Sequence, residues 1–173
     1  MKFIILGSGS SMGVPRADGF FGNCNPNNSK NYRTRCSAFI KSKDKNILID
    51  TSPDLRSQML KNKIVNIDTV LYTHNHADQT HGINDLRVFS LKNKKKIPIF
   101  ADHNTKKYLL NSFSYCFKKL KDYPPTLKIF DLKKKLYMNK FIKIESDKVK
   151  HGSIESISFI INKKIAYLPD ANE

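Results

Sequence analysis

The sequence predicts a mixed α/β layered domain, and three observations carry that prediction. Short apolar runs of strand length recur along the chain. Two stretches between them, residues 53–61 and 104–120, carry apolar residues at helical spacing. Clusters of Gly, Asn, Ser and Pro punctuate these segments. Strands alternating with helices, joined by strand meanders, make a layered α/β arrangement.

The elements follow in order. Residues 2–6 form a first strand, stopped by Gly7-Ser8-Gly9. Residues 19–35, rich in Asn, Gly and Ser, read as a long loop. Residues 37–41 and 46–50 are two strands joined by a turn at Lys43-Asp44-Lys45. Pro53 suits a helix start, and Leu55, Met59 and Leu60 share one helical face up to Lys61. Residues 68–73 are a buried strand that ends where His74 begins. A short helix is expected over 84–91, a strand over 97–101, and a helix over 104–120 with its stripe at 108, 109, 113, 116, 117 and 120. Strand-like runs follow at 127–130, 141–144, 156–161 and 165–168.

The 173 residues fit one domain, 1–173, at roughly 100–200 residues per domain. That is long enough to bury a core without disulfide staples. A hydrophobic share of 39% argues against disorder. No apolar run approaches the ~20 residues of a membrane span, and the opening run is too short for a signal peptide, so a cytoplasmic protein is expected. Cys24, Cys36 and Cys116 are odd in number, widely spaced and lack a CxxC pair, which excludes a disulfide framework and a zinc ribbon.

The formal net charge is +16. It admits a nucleic-acid or anionic-substrate surface. The profile is 26 Lys to 5 Arg, with 16 Asn and 18 Ile, and Lys, Asn and Ile share AT-rich codons. Arg, the bidentate reader of phosphate and guanine, is scarce, so the lysine clusters read as solvated faces that still attract a phosphate.

Chemistry concentrates in Thr73-His74-Asn75-His76-Ala77-Asp78-Gln79-Thr80-His81-Gly82. Strong ligand types alternate at 74, 76 and 78, directly after a strand. In extended chain, residues i and i+2 share a side, so His74 and His76 can face one ion. Imidazole suits Zn²⁺, and a carboxylate adds oxygen character that also suits Mn²⁺ or Fe. Three of five histidines and an Asp within eight residues are a poor match for a chance polar loop.

This run resembles the His-x-His-x-Asp-His signature of the metallo-β-lactamase-fold hydrolases. Leu6-Gly7-Ser8-Gly9-Ser10-Ser11-Met12-Gly13-Val14-Pro15 resembles the opening of the branch related to the phosphoribosyl cyclic phosphodiesterases and, more distantly, to the tRNA 3′-processing endonucleases. Asn46–Asp54, Gly82-Ile83-Asn84-Asp85-Leu86-Arg87, Val149-Lys150-His151-Gly152 and Ala166-Tyr167-Leu168-Pro169-Asp170 resemble further motifs of that family, in family order. The resemblance implies an αβ/βα four-layer sandwich. It implies that His74, His76 and His151 hold a first metal, that Asp78 is the main ligand of a second, and that Asp170 bridges the two. Asp50 would orient a ligand; Asp78 and Asp50 are the expected catalytic carboxylates. Arg33, Arg35 and Arg87 are expected to contact a substrate phosphate. One or two ions of Zn²⁺ or Mn²⁺ are the implied cofactors.

Two departures from the pattern matter. Gln79 stands where the signature has His, and its amide oxygen is a weaker zinc ligand, with His81 as a substitute or an outer neighbour. The family also has a later metal-binding His and further helices, so the chain ending at Glu173 reads as a sandwich whose C-terminal part is missing. With only Cys24 and Cys36 in the long loop, a structural zinc is not expected there. The leading reading is a metal-dependent phosphodiesterase acting on a small cyclic phosphate or nucleotide-like substrate through a metal-activated hydroxide. An RNA-processing nuclease, with RNA as partner, and an inactive truncated remnant are the alternatives. A homodimer is admitted, a membrane is not.

Overall fold

The computed structural model describes residues 1–121 and 123–172. Six strands form one sheet in the order β1 (Lys2–Gly7), β2 (Ser37–Lys41), β3 (Asn46–Ile49), β4 (Thr69–Leu71), β5 (Ile97–Ala101) and β6 (Leu127–Asp131). β1 to β3 pair antiparallel; β3 to β6 are parallel. A second, antiparallel sheet contains β7 (Lys135–Asn139), β8 (Ile142–His151), β9 (Ile154–Ile161) and β10 (Ile165–Tyr167), in the order β10-β9-β8-β7. The helices are α1 (Leu55–Lys61), α2 (Ala77–Thr80), α3 (Arg87–Asn93), α4 (His103–Ser112) and α5 (Ser114–Phe117).

Strand alternation explains why the central strands of the six-stranded sheet are apolar on both faces. Successive side chains point to opposite faces. Phe39, Leu48 and Val70 enter a core shared with Leu55, Met59, Ile83, Leu86, Phe89 and Leu109 of the helical layer. Ala38, Ile40, Ile47, Ile49 and Leu71 enter a second core with Leu136, Ile142, Ile144, Ile157, Phe159 and Ile161 of the other sheet. A sheet covered on both faces reads as continuous apolar runs. The layers are therefore helices, six-stranded sheet, four-stranded sheet, in an αββ order. Among the described residues no helix follows α5.

Several elements differ from the sequence expectation; the helix expected over 84–91 is a 3-10 turn at Ile83–Leu86 followed by α3, and α2 stands where extended chain was expected. The helix expected over 104–120 breaks at Phe113, whose φ of −125° is not helical, and continues only as α5. Phe113 turns edge-on toward His81 and Tyr108, and the bend buries Cys116. β7 lies in the lysine-rich stretch read as a solvated face: Leu136 points inward while Tyr137 is exposed. β8 runs to His151, well past the expected residue 144. Its outer half, residues 147–151, is polar but for Val149, and backbone pairing with β9, from Ile144↔Ile161 to His151↔Ile154, holds it extended.

The long loop is anchored next to the site edge by Arg35. Its guanidinium donates to both oxygens of Asp54 at 2.7 and 2.9 Å, and its backbone N–H donates to Asp54 Oδ2 at 2.9 Å. The hydrogen bond from the Arg35 side chain is the largest influence holding the Asp54 carboxyl below its usual range. A lowered native pKa gives stability that is present above the unfolded value, near 3.9, and is lost as pH falls through the native one. Asp54→Ala is expected to cost about 1–3 kcal/mol at pH 7 in urea denaturation. Its deficit relative to the wild type should shrink as the pH falls below about 4.

Candidate metal centre

The site forms where strand ends meet. β3 and β4 are parallel, so their C-terminal ends, carrying Asp50 and Thr73-His74, emerge side by side. Ends of parallel strands are where α/β sheets carry ligands. Thr73 also accepts a hydrogen bond on its carbonyl from the N–H of Ile157 at 2.9 Å, which ties this edge to β9 of the other sheet. The β8–β9 hairpin thereby presents His151 to the same point. Gly152, at a φ of 57°, takes the first position of its two-residue turn, where a left-handed backbone favours glycine.

Three imidazoles converge there. His74 Nε2 lies 3.1 Å from His76 Nδ1, which lies 3.3 Å from His151 Nε2. All three nitrogens fall within 4.8 Å of one another. His74 is buried, His151 partly so, and His76 is exposed. Burial first, then the neighbouring His76 and His151, lower the His74 pKa to about 4. It is thus neutral near pH 7, as a ligand must be.

The orientation of His74 is set from behind. The Asp50 carboxylate accepts the Thr73 backbone N–H at 2.8 Å and the Thr73 hydroxyl at 2.9 Å. With its one proton given to Asp50, the Thr73 oxygen accepts Nδ1–H of His74 at 3.0 Å. His74 Nε2 then carries a lone pair aimed at the cluster. Asp50 itself is fully buried, and burial pushes its carboxyl well above the usual range against these hydrogen bonds. Its φ of 59° is left-handed, a strained conformation for a non-glycine residue.

The donor set fits a divalent cation. Tetrahedral ligands at about 2.0–2.1 Å from zinc stand roughly 3.3–3.4 Å apart, close to the separations found between these nitrogens. His76 Nδ1 can donate to a neighbouring imidazole while no ion is bound, or join the other two nitrogens as a third lone pair on a cation.

The carboxylates and the neighbouring polar residues take distinct places. Asp170 brings Oδ2 to 3.6 Å from His74 Nε2, beside the triad. Asp78 sits in α2 rather than on extended chain, and its Oδ2 accepts from Gln79 Nε2 at 3.0 Å. Gln79 Oε1 is buried and has no hydrogen-bond partner. His81 is not brought to the triad; it pairs with the Tyr108 hydroxyl at 2.9 Å, beyond α2.

The three arginines are dispersed. The fork of Arg35 is filled by Asp54. Arg87 packs over the ring of Tyr123 and donates to its hydroxyl, on the helical side of the sheet. Arg33 donates to Ser8 Oγ at 3.1 Å and lines a separate cleft with Lys30 and Lys61. Cys36 donates to Gly9 O, and burial raises its thiol pKa to about 11, the behaviour of an inert thiol.

A cleft of about 750 Å³ adjoins the triad and was not legible in the sequence. One wall is α4, with Asn104, Lys107, Tyr108 and Asn111; the other is the hairpin with Lys150 and Glu155. Asn75, between His74 and His76, lines it as well. Its walls lie some forty residues apart along the chain, so no local pattern announces them.

Residues 45–173 match the β-lactamase superfamily domain, and the chain belongs to that family. Its fold is that of the metallo-β-lactamases. A diphosphatase of the PhnP family superposes with a TM-score of 0.79 at 29% identity, over 92% of this chain and 61% of that one. Zn²⁺-bound PqqB from Methylobacterium extorquens superposes at 0.70, with 17% identity, over 99% of this chain and 66% of that one. The short form of human tRNase Z gives 0.63 at 17% identity, over 96% and 67%. In sequence, the whole chain is 32% identical over 177 residues to an octanoyltransferase of Porphyromonas gingivalis strain W83 and spans 35% of that protein. The chain thus covers about a third of that curated relative and 61% of the diphosphatase.

The Asp50–Thr73–His74 relay is open to a direct measurement. Thr73→Val keeps shape but leaves a buried Asp50 oxygen without its donor. It is expected to lower unfolding stability by about 1–3 kcal/mol in urea denaturation.

Proposed function

We propose that the chain is a metal-dependent hydrolase that cleaves a phosphodiester in a small cyclic phosphate or nucleotide-like substrate. The observation that carries this reading is the meeting of three imidazole nitrogens, with a carboxylate of Asp170 beside them. His74, His76 and His151 would hold the first ion, Zn²⁺ or Mn²⁺, and an all-imidazole set favours zinc. Asp78 and Asp170 would serve a second ion, with Gln79 offering its unpartnered amide oxygen. A cation bound there supplies Lewis acidity toward the phosphodiester and lowers the pKa of water. Asp50 keeps its role behind Thr73, holding the His74 ring in one orientation.

The charge balance of the adjoining cleft supports a phosphate-bearing substrate. Of its two carboxylates, Glu155 pairs with Lys148 at 2.6 Å, and Asp102 caps α4 by accepting the Thr105 N–H at 3.0 Å. Among the described residues, Lys107 and Lys150 form no ion pair, so two ammonium groups are available in the cleft next to the triad. Asn75, Asn104 and Asn111 add amides that both donate and accept, suited to the hydroxyls and base edges of a nucleotide-like group. The diphosphatase name of the PhnP-family neighbour agrees with this substrate class.

The test is metal content together with hydrolysis. Purified protein should bind one to two equivalents of Zn²⁺ or Mn²⁺ and hydrolyse bis(p-nitrophenyl) phosphate or a 2′,3′-cyclic nucleotide. His74→Ala with His76→Ala should lower metal affinity by more than about 100-fold. Unchanged metal content in that double variant would sink the reading. RNA cleavage without activity on small phosphodiesters would redirect it to a nuclease, whose binding weakens steeply with salt.

Lys107→Ala with Lys150→Ala separates binding from chemistry. If the two lysines serve uniform binding of an anionic substrate, KM should rise several-fold with kcat nearly unchanged in steady-state kinetics.

A further inference from the structure

His151 is the triad member that comes from the second sheet, and its outward nitrogen has one hydrogen-bond partner among the described residues. Asn172 Oδ1 lies 3.4 Å from His151 Nδ1. The same oxygen accepts the backbone N–H of Gly152 at 3.1 Å. An N–H can only be met by an acceptor, so the Gly152 bond settles which end of the amide is the oxygen. The His151 nitrogen facing that oxygen must then be the donor. His151 is thereby the Nδ1–H tautomer, and its Nε2 lone pair faces the triad.

We propose that Asn172 is a positioning residue of the metal centre, which locks the tautomer and ring direction of His151. It does for the hairpin ligand what Asp50 and Thr73 do for His74. The lock is anchored independently of the triad. The Asn172 backbone N–H donates to Lys150 O at 2.8 Å, and Ser156 Oγ donates to Asp170 O at 2.7 Å. The segment carrying Asp170 is therefore clasped onto the β8–β9 hairpin. One short stretch then sets both the Asp170 carboxylate and the His151 ring. His76 Nε2, by contrast, has no hydrogen-bond partner among the described residues. A group behind a metal-bound imidazole commonly contributes 10–100-fold in metal affinity.

This inference rests on the triad being the metal site, and its test has a metal-free arm. Long-range ¹H–¹⁵N NMR of the metal-free wild-type chain should show His151 as Nδ1–H. An Nε2–H His151 there overturns the proposal whatever any variant does. Asn172→Ala should shift His151 toward Nε2–H and weaken Zn²⁺ binding by about 10–100-fold in competition with a chromophoric chelator. Asn172→Asp keeps an acceptor in place and should restore both readouts. Either readout staying at its wild-type value in Asn172→Ala overturns the assignment. Failure of Asn172→Asp to restore them does so too, since it would mark a merely structural loss. If the triad is not the metal site, metal content survives His74→Ala with His76→Ala, while the tautomer of His151 still reports on Asn172.

Discussion

The site depends on one buried carboxylate. Asp50 sits at the end of β3 with no exposure to solvent, and its two oxygens are met by the N–H and the hydroxyl of Thr73 at the end of β4. Burying such a group without donors is costly, so the two strand ends must stay together for it to remain there. The same Thr73 receives the His74 ring and, through its carbonyl, the Ile157 N–H of the other sheet. Strand pairing, ligand orientation and the docking of the second sheet thus share one residue pair. The left-handed backbone at Asp50 is held by this network.

A second network carries the strand ends into α2. Thr51 N–H donates to Gln79 O, Gly82 N–H donates to Thr51 O, and the Thr51 and Tyr72 hydroxyls meet at 2.7 Å. Gly82 has a packing reason for its identity: a Cβ there would lie 2.0 Å from the Ser52 carbonyl oxygen. The segment carrying His76, Asp78 and Gln79 is therefore fixed by backbone contacts that have no part in ligand binding. This rigidity holds His76 Nδ1 at 3.1 Å from His74 Nε2 and 3.3 Å from His151 Nε2.

The net charge of +16 acquires meaning only through pairing. Lys106, Lys134, Lys143 and Lys148 face carboxylates, and exposed pairs of this kind contribute little to stability. Lys107 and Lys150 stand beside carboxylates already engaged elsewhere. Two lysines out of 26 therefore line the cleft without an ion pair among the described residues, and the excess of Lys over Arg fits solvated faces for most of the others.

Much of this protein was legible in its residues. Short apolar runs announced most of the strands, and the histidine-rich stretch after residue 73 announced two members of the imidazole cluster, because strand length and ligand chemistry act over a few neighbouring positions. The break at Phe113, the strand in the lysine-rich stretch and the long arm of β8 were not legible. Packing against distant rings and backbone pairing, rather than local propensity, decide them. The sequence by itself determined which side chains were available for chemistry and roughly where the strands end. The tertiary structure alone decided that Arg35 is held by Asp54, that His81 turns to Tyr108, that a cleft opens between α4 and the hairpin, and that Asn172 stands behind His151. Each of these is a contact between residues far apart in the chain, where no spacing rule applies.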